Sequence, residues 1–447
     1  MSAETATTLT PSPVQWRARL RGIIPAITLV ASRGGGIAVQ FLVQVVVGAL
    51  AGAAGLGVLQ LFTSWSCLLG ETLARGQPAR AMRVVAVNYS EGNGDWIKTD
   101  LQRAAGRILR AAAGLAVLAA IAFVVGRDLL TNGGLADYGK IAMAVVIAAP
   151  LFALLRLGSE ALKGANAPLA AITLENLVMP GIILLVCAVC WLTDQPVPTV
   201  ILLAAGLAGF AATSLWLWIA LDRRLNLLPG QGDAPRFLPP RDDCDLRALW
   251  ANSVLGIAFL HLPFLVLPWY SGPAEIGVYA VAHKLVNIIT MLLLLMASVF
   301  GPLFARAAAE GDREELRALL WRTQWLSSVV FFPMMLVLLL AGGPLSGLFS
   351  LPGDTLQPYL LVLAAGHCVN AATGLSGVLL NMAGGAGLEL KTLLGSILFA
   401  VLLAPLIGPA HGALGLACLF SGSLAGKNLA SYAAARYYLR KSTGDRS

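Results

Sequence analysis

Charge is scarce in this sequence. Only 12% of its 447 residues are Asp, Glu, Lys or Arg, about half of the roughly 25% usual in soluble domains, while 57% are hydrophobic. Apolar runs of about 20 residues recur along the whole chain, which excludes both a soluble enzyme and a disordered polymer. Histidine is rarer still, at four residues, and the six cysteines form no paired Cys/His set. Cys187 and Cys190 have the CxxC spacing but fall in mid-span without a second pair, so they read as small buried hydrophobes and no metal site is expected. The catalytic signatures HExxH and GxSxG are missing. So is a G-x-x-x-x-G-K-[ST] phosphate loop: the stretch from Gly422 to Asn428 is one residue short of it and lies inside an apolar span, which excludes ATP as the direct energy source. No cofactor is expected, beyond a proton or sodium gradient.

What the sequence has is about twelve apolar segments, each long enough to cross a hydrocarbon layer of roughly 30 Å at 1.5 Å per residue. They fall at 23–49, 57–76, 107–126, 141–162, 168–191, 199–221, 249–269, 277–304, 323–341, 357–382, 388–407 and 412–436. The first is too long for a signal-peptide core and is expected to be retained. In lipid, backbone groups have no water to bond, so these segments are helices, and the fold class is an all-α polytopic membrane protein. The domain reading is a cytoplasmic segment 1–22, six-helix bundles at 23–221 and 249–436, a cytoplasmic linker at 222–248 rich in Pro, Gly and Asp, and a tail at 437–447. An even number of spans puts both termini on one side. Of 31 Lys+Arg, four fall inside spans, Arg127 and Lys140 lie on one side, and the other 25 share the side of the termini. The positive-inside rule then expects both termini in the cytoplasm, and it accounts for the net charge of +8 without a nucleic-acid partner.

The chain also resembles itself. At an offset of 220, Gly36-Ile37-Ala38 falls on Gly256-Ile257-Ala258, and Gly57-Val58 on Gly277-Val278. Six spans per copy is an even number, so the two bundles enter from the same side, a parallel pseudo-repeat of the kind that rocks around a central site in transporters. Three loop segments carry a family resemblance: Ala53-Ala54-Gly55-Leu56-Gly57, Lys163-Gly164-Ala165-Asn166-Ala167-Pro168, and Pro409-Ala410-His411-Gly412-Ala413-Leu414-Gly415. In these the chain resembles the polysaccharide flippases of the multidrug/oligosaccharidyl-lipid/polysaccharide (MOP) superfamily, nearest the Wzx-type O-antigen translocases. The resemblance implies a V-shaped transporter of twelve helices. It implies a cargo of undecaprenyl-diphosphate-linked oligosaccharide, moved from the cytoplasmic to the periplasmic leaflet for O-antigen, capsule or exopolysaccharide synthesis, with membrane lipids, a polysaccharide polymerase and a chain-length regulator as partners.

Cations inside spans are costly, at about 2.5 to 3.5 kcal/mol at mid-bilayer, and usually face a polar cavity or a partner. Four are candidates for a cationic, substrate-binding cleft: Arg33, Arg156, Lys284 and Lys427. Arg33 precedes Gly34-Gly35-Gly36, where a large ligand could approach. Arg156 and Glu160 share a helix face at i, i+4, and with Glu175 at similar depth they also make sense as a structural ion-pair cluster. Candidates for ion coupling are Glu71, Glu160, Glu175 and His283, since carboxylates and imidazoles change protonation readily in such surroundings. Glu71, four residues before Arg75, is expected to pair with it locally. Adjacent residues on a helix point about 100° apart, so at most one of His283 and Lys284 faces squarely into a cleft. The expected function is therefore transport rather than catalysis. Alternatives are a MATE-like drug or cation antiporter, which would want carboxylates to dominate the cleft, and a membrane-embedded polymerase or glycosyltransferase, which would want a substantial external loop bearing catalytic acids.

Overall fold

The structure, a computed structural model, describes residues 13–125, 136–228 and 243–440. Its helices are α1 (Pro13–Ala74), α2 (Gln77–Ser90), α3 (Gly94–Val125), α4 (Ala136–Gly164), α5 (Pro168–Leu192), α6 (Thr199–Leu225), α7 (Asp243–Val266), α8 (Pro273–Ala309), α9 (Arg313–Leu340), α10 (Gly342–Leu348), α11 (Leu356–Thr373), α12 (Ser376–Met382) and α13 (Ala386–Arg440). No strand occurs among the described residues.

Two of these helices are too long to cross once. The apolar part of α1, Gly34–Ala74, has 41 residues and that of α13, Gly387–Arg440, has 54, about 60 and 80 Å if straight. Each is folded back at one glycine, Gly52 (φ 65°, ψ −170°) and Gly412 (φ 56°, ψ −149°), a region of backbone space open essentially to glycine alone. The sequence around both is Gly-x-x-Gly, and the second glycine, Gly55 or Gly415, comes so close to the preceding leg that an added Cβ would overlap Ala51 or His411. With two legs each from α1 and α13, and α11 and α12 forming one span bent by 46°, the helices long and apolar enough to cross make ten crossings among the described residues, and α7 and α8, with the shorter apolar stretches Ser253–Trp269 and Val299–Ala309, complete the order of the expected twelve. Helices overrun the expected spans: α3 begins at Gly94 and α7 at Asp243, because charged turns in water continue a helix that membrane thickness does not end. Of the expected linker, 229–242 lies outside the described residues, as do residues 1–12, the loop at 126–135 and the tail from 441.

All turns after an even-numbered crossing fall at one end of the molecule, the arginine-rich end; the Gly52 and Gly412 turns mark the far end. At the far end the halves touch through backbone. A Cβ on Gly57 would overlap the carbonyl oxygen of Pro273, and a Cβ on Gly277 would overlap that of Ala53. The two glycines are 220 residues apart, and so are the two residues they meet, Ala53 and Pro273. A pseudo-twofold axis therefore passes between Gly57 and Gly277, and the repeat seen in the sequence is a repeat in space. Only glycine permits this approach. Around it, Tyr138 donates to the Ser271 carbonyl (2.5 Å) and Phe41 meets Phe349 edge to face at 5.3 Å. The second leg of α1 runs the length of α7, with Trp65 Nε1 donating to Phe264 O (2.8 Å) and Trp250 Nε1 to Thr72 O (3.1 Å).

Candidate functional site

Near the arginine-rich end, three helices of the N-terminal half bring five charges together. Arg156 on α4 lies 3.2 Å from Glu160 one turn on, 3.5 Å from Glu175 of α5 and 3.6 Å from Glu71 of α1. Lys163 lies 3.0 Å from Glu160 and 3.5 Å from Glu175. Glu71 is the most deeply buried, its side chain 3% exposed. Its expected local pairing with Arg75 is a correction: Arg75 ends the helix at φ 49°, and Glu71 turns across the bundle to Arg156. The Glu71 to Arg156 contact is ionic and too long for a hydrogen bond, which leaves Glu71 Oε2 and Arg156 Nε without one.

Three carboxylates surround two cations, so the cluster carries one excess negative charge. Arg156 is thus not the unpaired cation of a purely basic cleft. It is a guanidinium held by exchangeable partners. A cavity of about 480 Å³ opens on it, lined by Glu71, Arg156 and Glu160, by Met82 and Arg83 of α2, and by Ser253 of α7. Since Ser253 belongs to the other half, the cavity lies on the seam. Chemically, the site can take a proton or a cation on the excess carboxylate, or take an anion on Arg156 and Lys163 if a carboxylate lets go.

The C-terminal half carries a second polar cavity, nearer the far end. His283 on α8 stacks on Tyr279 (5.8 Å), meets Phe264 edge on (5.4 Å) and bonds Asn287 at 3.0 Å. His367 of α11 bonds Thr290 at 2.8 Å. Tyr279, His283, Asn287 and His367, with Ser421 of α13 and Gly256 of α7, line about 360 Å³. The pseudo-repeat explains the space: an added Cβ on Gly36 would overlap Asn176, whereas around its counterpart Gly256 nothing stands within 4 Å. His261 reaches across the seam to Ser64 at 3.0 Å. Of the adjacent pair His283 and Lys284, His283 lines this cavity and Lys284 does not. Lys284 is half-buried and has no carboxylate partner among the described residues.

Lys427 pairs with Glu389 across the α13 hairpin, and Ser431 donates to the same carboxylate at 2.6 Å. It belongs to the packing of that hairpin, a correction to its place in an open cationic cleft, because a buried ammonium holds the nearest carboxylate. The Arg33 side chain lies outside the described residues. Cys187 and Cys190 are free and buried, as small hydrophobes are. Sequence reasoning missed Ser253, Asn287, Thr290 and Ser421. Each is a lone polar residue within an apolar span, and that was the available signal. No group of three or more metal-ligating side chains occurs among the described residues.

Transporters of known structure share this architecture. An inward-facing MATE family multidrug resistance transporter of the MOP superfamily superimposes with a TM-score of 0.65 at 14% identity, over 90% of this chain and 94% of that one. The chain has the MOP transporter fold. The lipid II flippase MurJ in an inward closed conformation gives 0.64 at 12% identity, over 92% of this chain and 87% of that one. An outward-facing MATE transporter gives 0.56 at 16% identity, over 92% and 95%. By sequence, residues 247–349 match a family model described as polysaccharide biosynthesis protein. No curated protein matches the chain. The match runs from α7 to the end of α10, and includes α7 and α8, the helices that meet the N-terminal half across the seam. The chain is a multi-pass membrane protein with the architecture of transporters and flippases.

Proposed function

We propose that this MOP protein flips a lipid-linked oligosaccharide bearing a diphosphate, of the undecaprenyl-diphosphate kind, from the cytoplasmic to the periplasmic leaflet of a bacterial inner membrane. Both termini and the arginine-rich end face the cytoplasm in this reading. The observation that carries it is the seam cavity over Arg156. A hydroxylated head group with a diphosphate cannot enter hydrocarbon unaided. Here it meets a guanidinium and an ammonium whose present partners are carboxylates it can replace. Arg156 and Lys163 transfer from glutamate to phosphate, and a carboxylate left unpaired beside an anion takes up a proton. That exchange gives loading a proton dependence without a nucleotide. The sequence match to polysaccharide biosynthesis proteins and the MurJ-like fold support the cargo class. The far-end backbone contact, with the better superposition on inward-facing structures, supports a conformer that loads from the arginine-rich end.

The test is translocation of polyprenyl-diphosphate oligosaccharide by purified protein in liposomes. Arg156→Gln combined with Glu160→Gln, which keeps the charge balance, should lower the rate at least tenfold with insertion and folding intact; an unchanged rate would remove the site from the cargo path. A second reading, drug or cation antiport, is favoured by the excess carboxylate. In the same liposomes it predicts cation-driven efflux that Glu71→Gln abolishes, with no oligosaccharide movement.

A further inference from the structure

The arginine-rich end of the C-terminal half carries a third cavity, of about 340 Å³, on the flank where α9 meets the last turns of α13. Three guanidiniums line it, Arg317 from α9 and Arg436 and Arg440 from α13, with Trp321, Gln324 and Tyr432. No carboxylate lines it, and none of the three arginines makes an ion pair among the described residues. Arg317 donates to the carbonyl of Leu439 at 2.8 Å, its only hydrogen bond among the described residues. Arg436 lies over the Tyr432 ring at 5.7 Å.

Several other basic groups at this end have acidic partners. Arg80 holds Asp100 in two parallel hydrogen bonds of 2.8 and 2.9 Å. Arg306 sits on Glu310 at 2.8 Å, and Arg322 reaches Glu315 at 3.8 Å. The pseudo-repeat supplies the sharpest contrast. In the matching corner of the N-terminal half, where α3 meets the end of α6, Lys98 lies 3.4 Å from Asp222 and bonds Asn226. One copy of the corner holds an acid against its lysine. The other has three cations and, among the described residues, no acid.

We propose that this corner is a binding site for an anionic glycerophospholipid of the surrounding bilayer, its phosphate held by Arg317, Arg436 and Arg440. Guanidinium forks match phosphate oxygens in two-bond geometry, and basic recesses between spans at the cytoplasmic face suit anionic head groups. Trp321 is 65% exposed and Trp325 56%, as expected of indoles at the level of head groups. The location selects bilayer lipid over transported cargo. The main neighbours of α9 are α8 and α11, both of the C-terminal half, so this flank lies away from the seam. A volume of about 340 Å³ is room enough for a phosphate head group. The inference does not depend on the cargo assigned above.

The experiment is native mass spectrometry of the full-length protein, delipidated and titrated separately with phosphatidylglycerol, phosphatidylcholine and a polyprenyl diphosphate. Wild-type protein should retain phosphatidylglycerol at least tenfold more tightly than phosphatidylcholine. The R317Q/R436Q/R440Q variant should lose that preference, while a control variant, R103Q/R110Q/R223Q, keeps it. Because Arg317 also holds the end of α13, the R436Q/R440Q variant, which leaves that bond intact, should show most of the same loss. Equal retention of both phospholipids by wild type, an unchanged preference in the triple variant, or selective binding of the polyprenyl diphosphate alone would overturn the proposal.

Discussion

Arg156 is the residue on which the charged site turns. Removing it leaves the buried Glu71 with no cation and Glu160 and Glu175 sharing only Lys163, and breaking a buried pair by deleting one partner costs about 3 to 5 kcal/mol. Arg156→Met should therefore lower stability in detergent by about that amount, and Glu71→Gln with Glu160→Gln in the same chain should restore most of it, as read from chemical or thermal unfolding. A single-variant loss that the added substitutions do not repair would mean the glutamates are not held by Arg156. Part of this site was legible in the sequence. Arg156, Glu160 and Lys163 share a helix face by spacing, and Glu175 returns to similar depth. Glu71 was not legible as a member, because its partner depends on how the second leg of α1 is rotated against α4, and no local pattern encodes that rotation. Lys427 shows the same limit: its carboxylate, Glu389, is 38 residues away on the opposite leg of a hairpin.

At the scale of elements, the two longest helices depend on single glycines. Gly52 and Gly412 occupy a backbone region that costs other residues on the order of 1 to 3 kcal/mol, and nothing stands within 4 Å of an added Cβ at either. Gly52→Ala and Gly412→Ala should each lower stability by about that strain and no more. A loss well beyond it would point to a steric clash that the surroundings do not contain, and no loss would mean that the hairpins do not turn there. Glycine-rich loops were visible in the sequence beside both turns. Which glycine takes the positive φ became clear only from the paired close approach at Gly55 and Gly415. The bend between α11 and α12 was not expected. Gly374 sits there at φ 61° with an added Cβ overlapping the Gln324 backbone, so the break lets α11 come close against α9.

For the molecule as a whole, the reciprocal contact of Gly57 with Pro273 and of Gly277 with Ala53 is the joint that holds the halves together at the far end. A methyl at either glycine would overlap a backbone oxygen, which cannot swing aside as a side chain can. Gly57→Ala and Gly277→Ala should each open the far end and shift the population toward that conformer, by similar amounts because the contacts are related by pseudo-symmetry. Distances between spin labels placed across the far end measure this. An unchanged distribution in both variants would show that the halves are not held there. The symmetry is incomplete where function needs it to be. Asn176 fills the space beside Gly36, while the space beside Gly256 stays open as the histidine-lined cavity. The N-terminal copy carries the charged seam site and the C-terminal copy the arginine corner.

The sequence by itself determined the membrane class, the twelve crossings, the two-bundle repeat and the clustering of cations at one end. Each of these follows from a local rule: apolar length against bilayer thickness, backbone satisfaction in lipid, a glycine recurring where two backbones touch, and the distribution of Lys and Arg between loops. Tertiary structure alone decided which buried charges are neutralised and by whom, that the seam site carries excess carboxylate, and that one corner of the repeat keeps three arginines without an acid among the described residues. The physical reason is range. A charge in low dielectric is governed by whatever lies within about 4 Å of it, and for these residues that neighbour comes from a helix tens or hundreds of positions away, at a rotation that only the packed bundle sets.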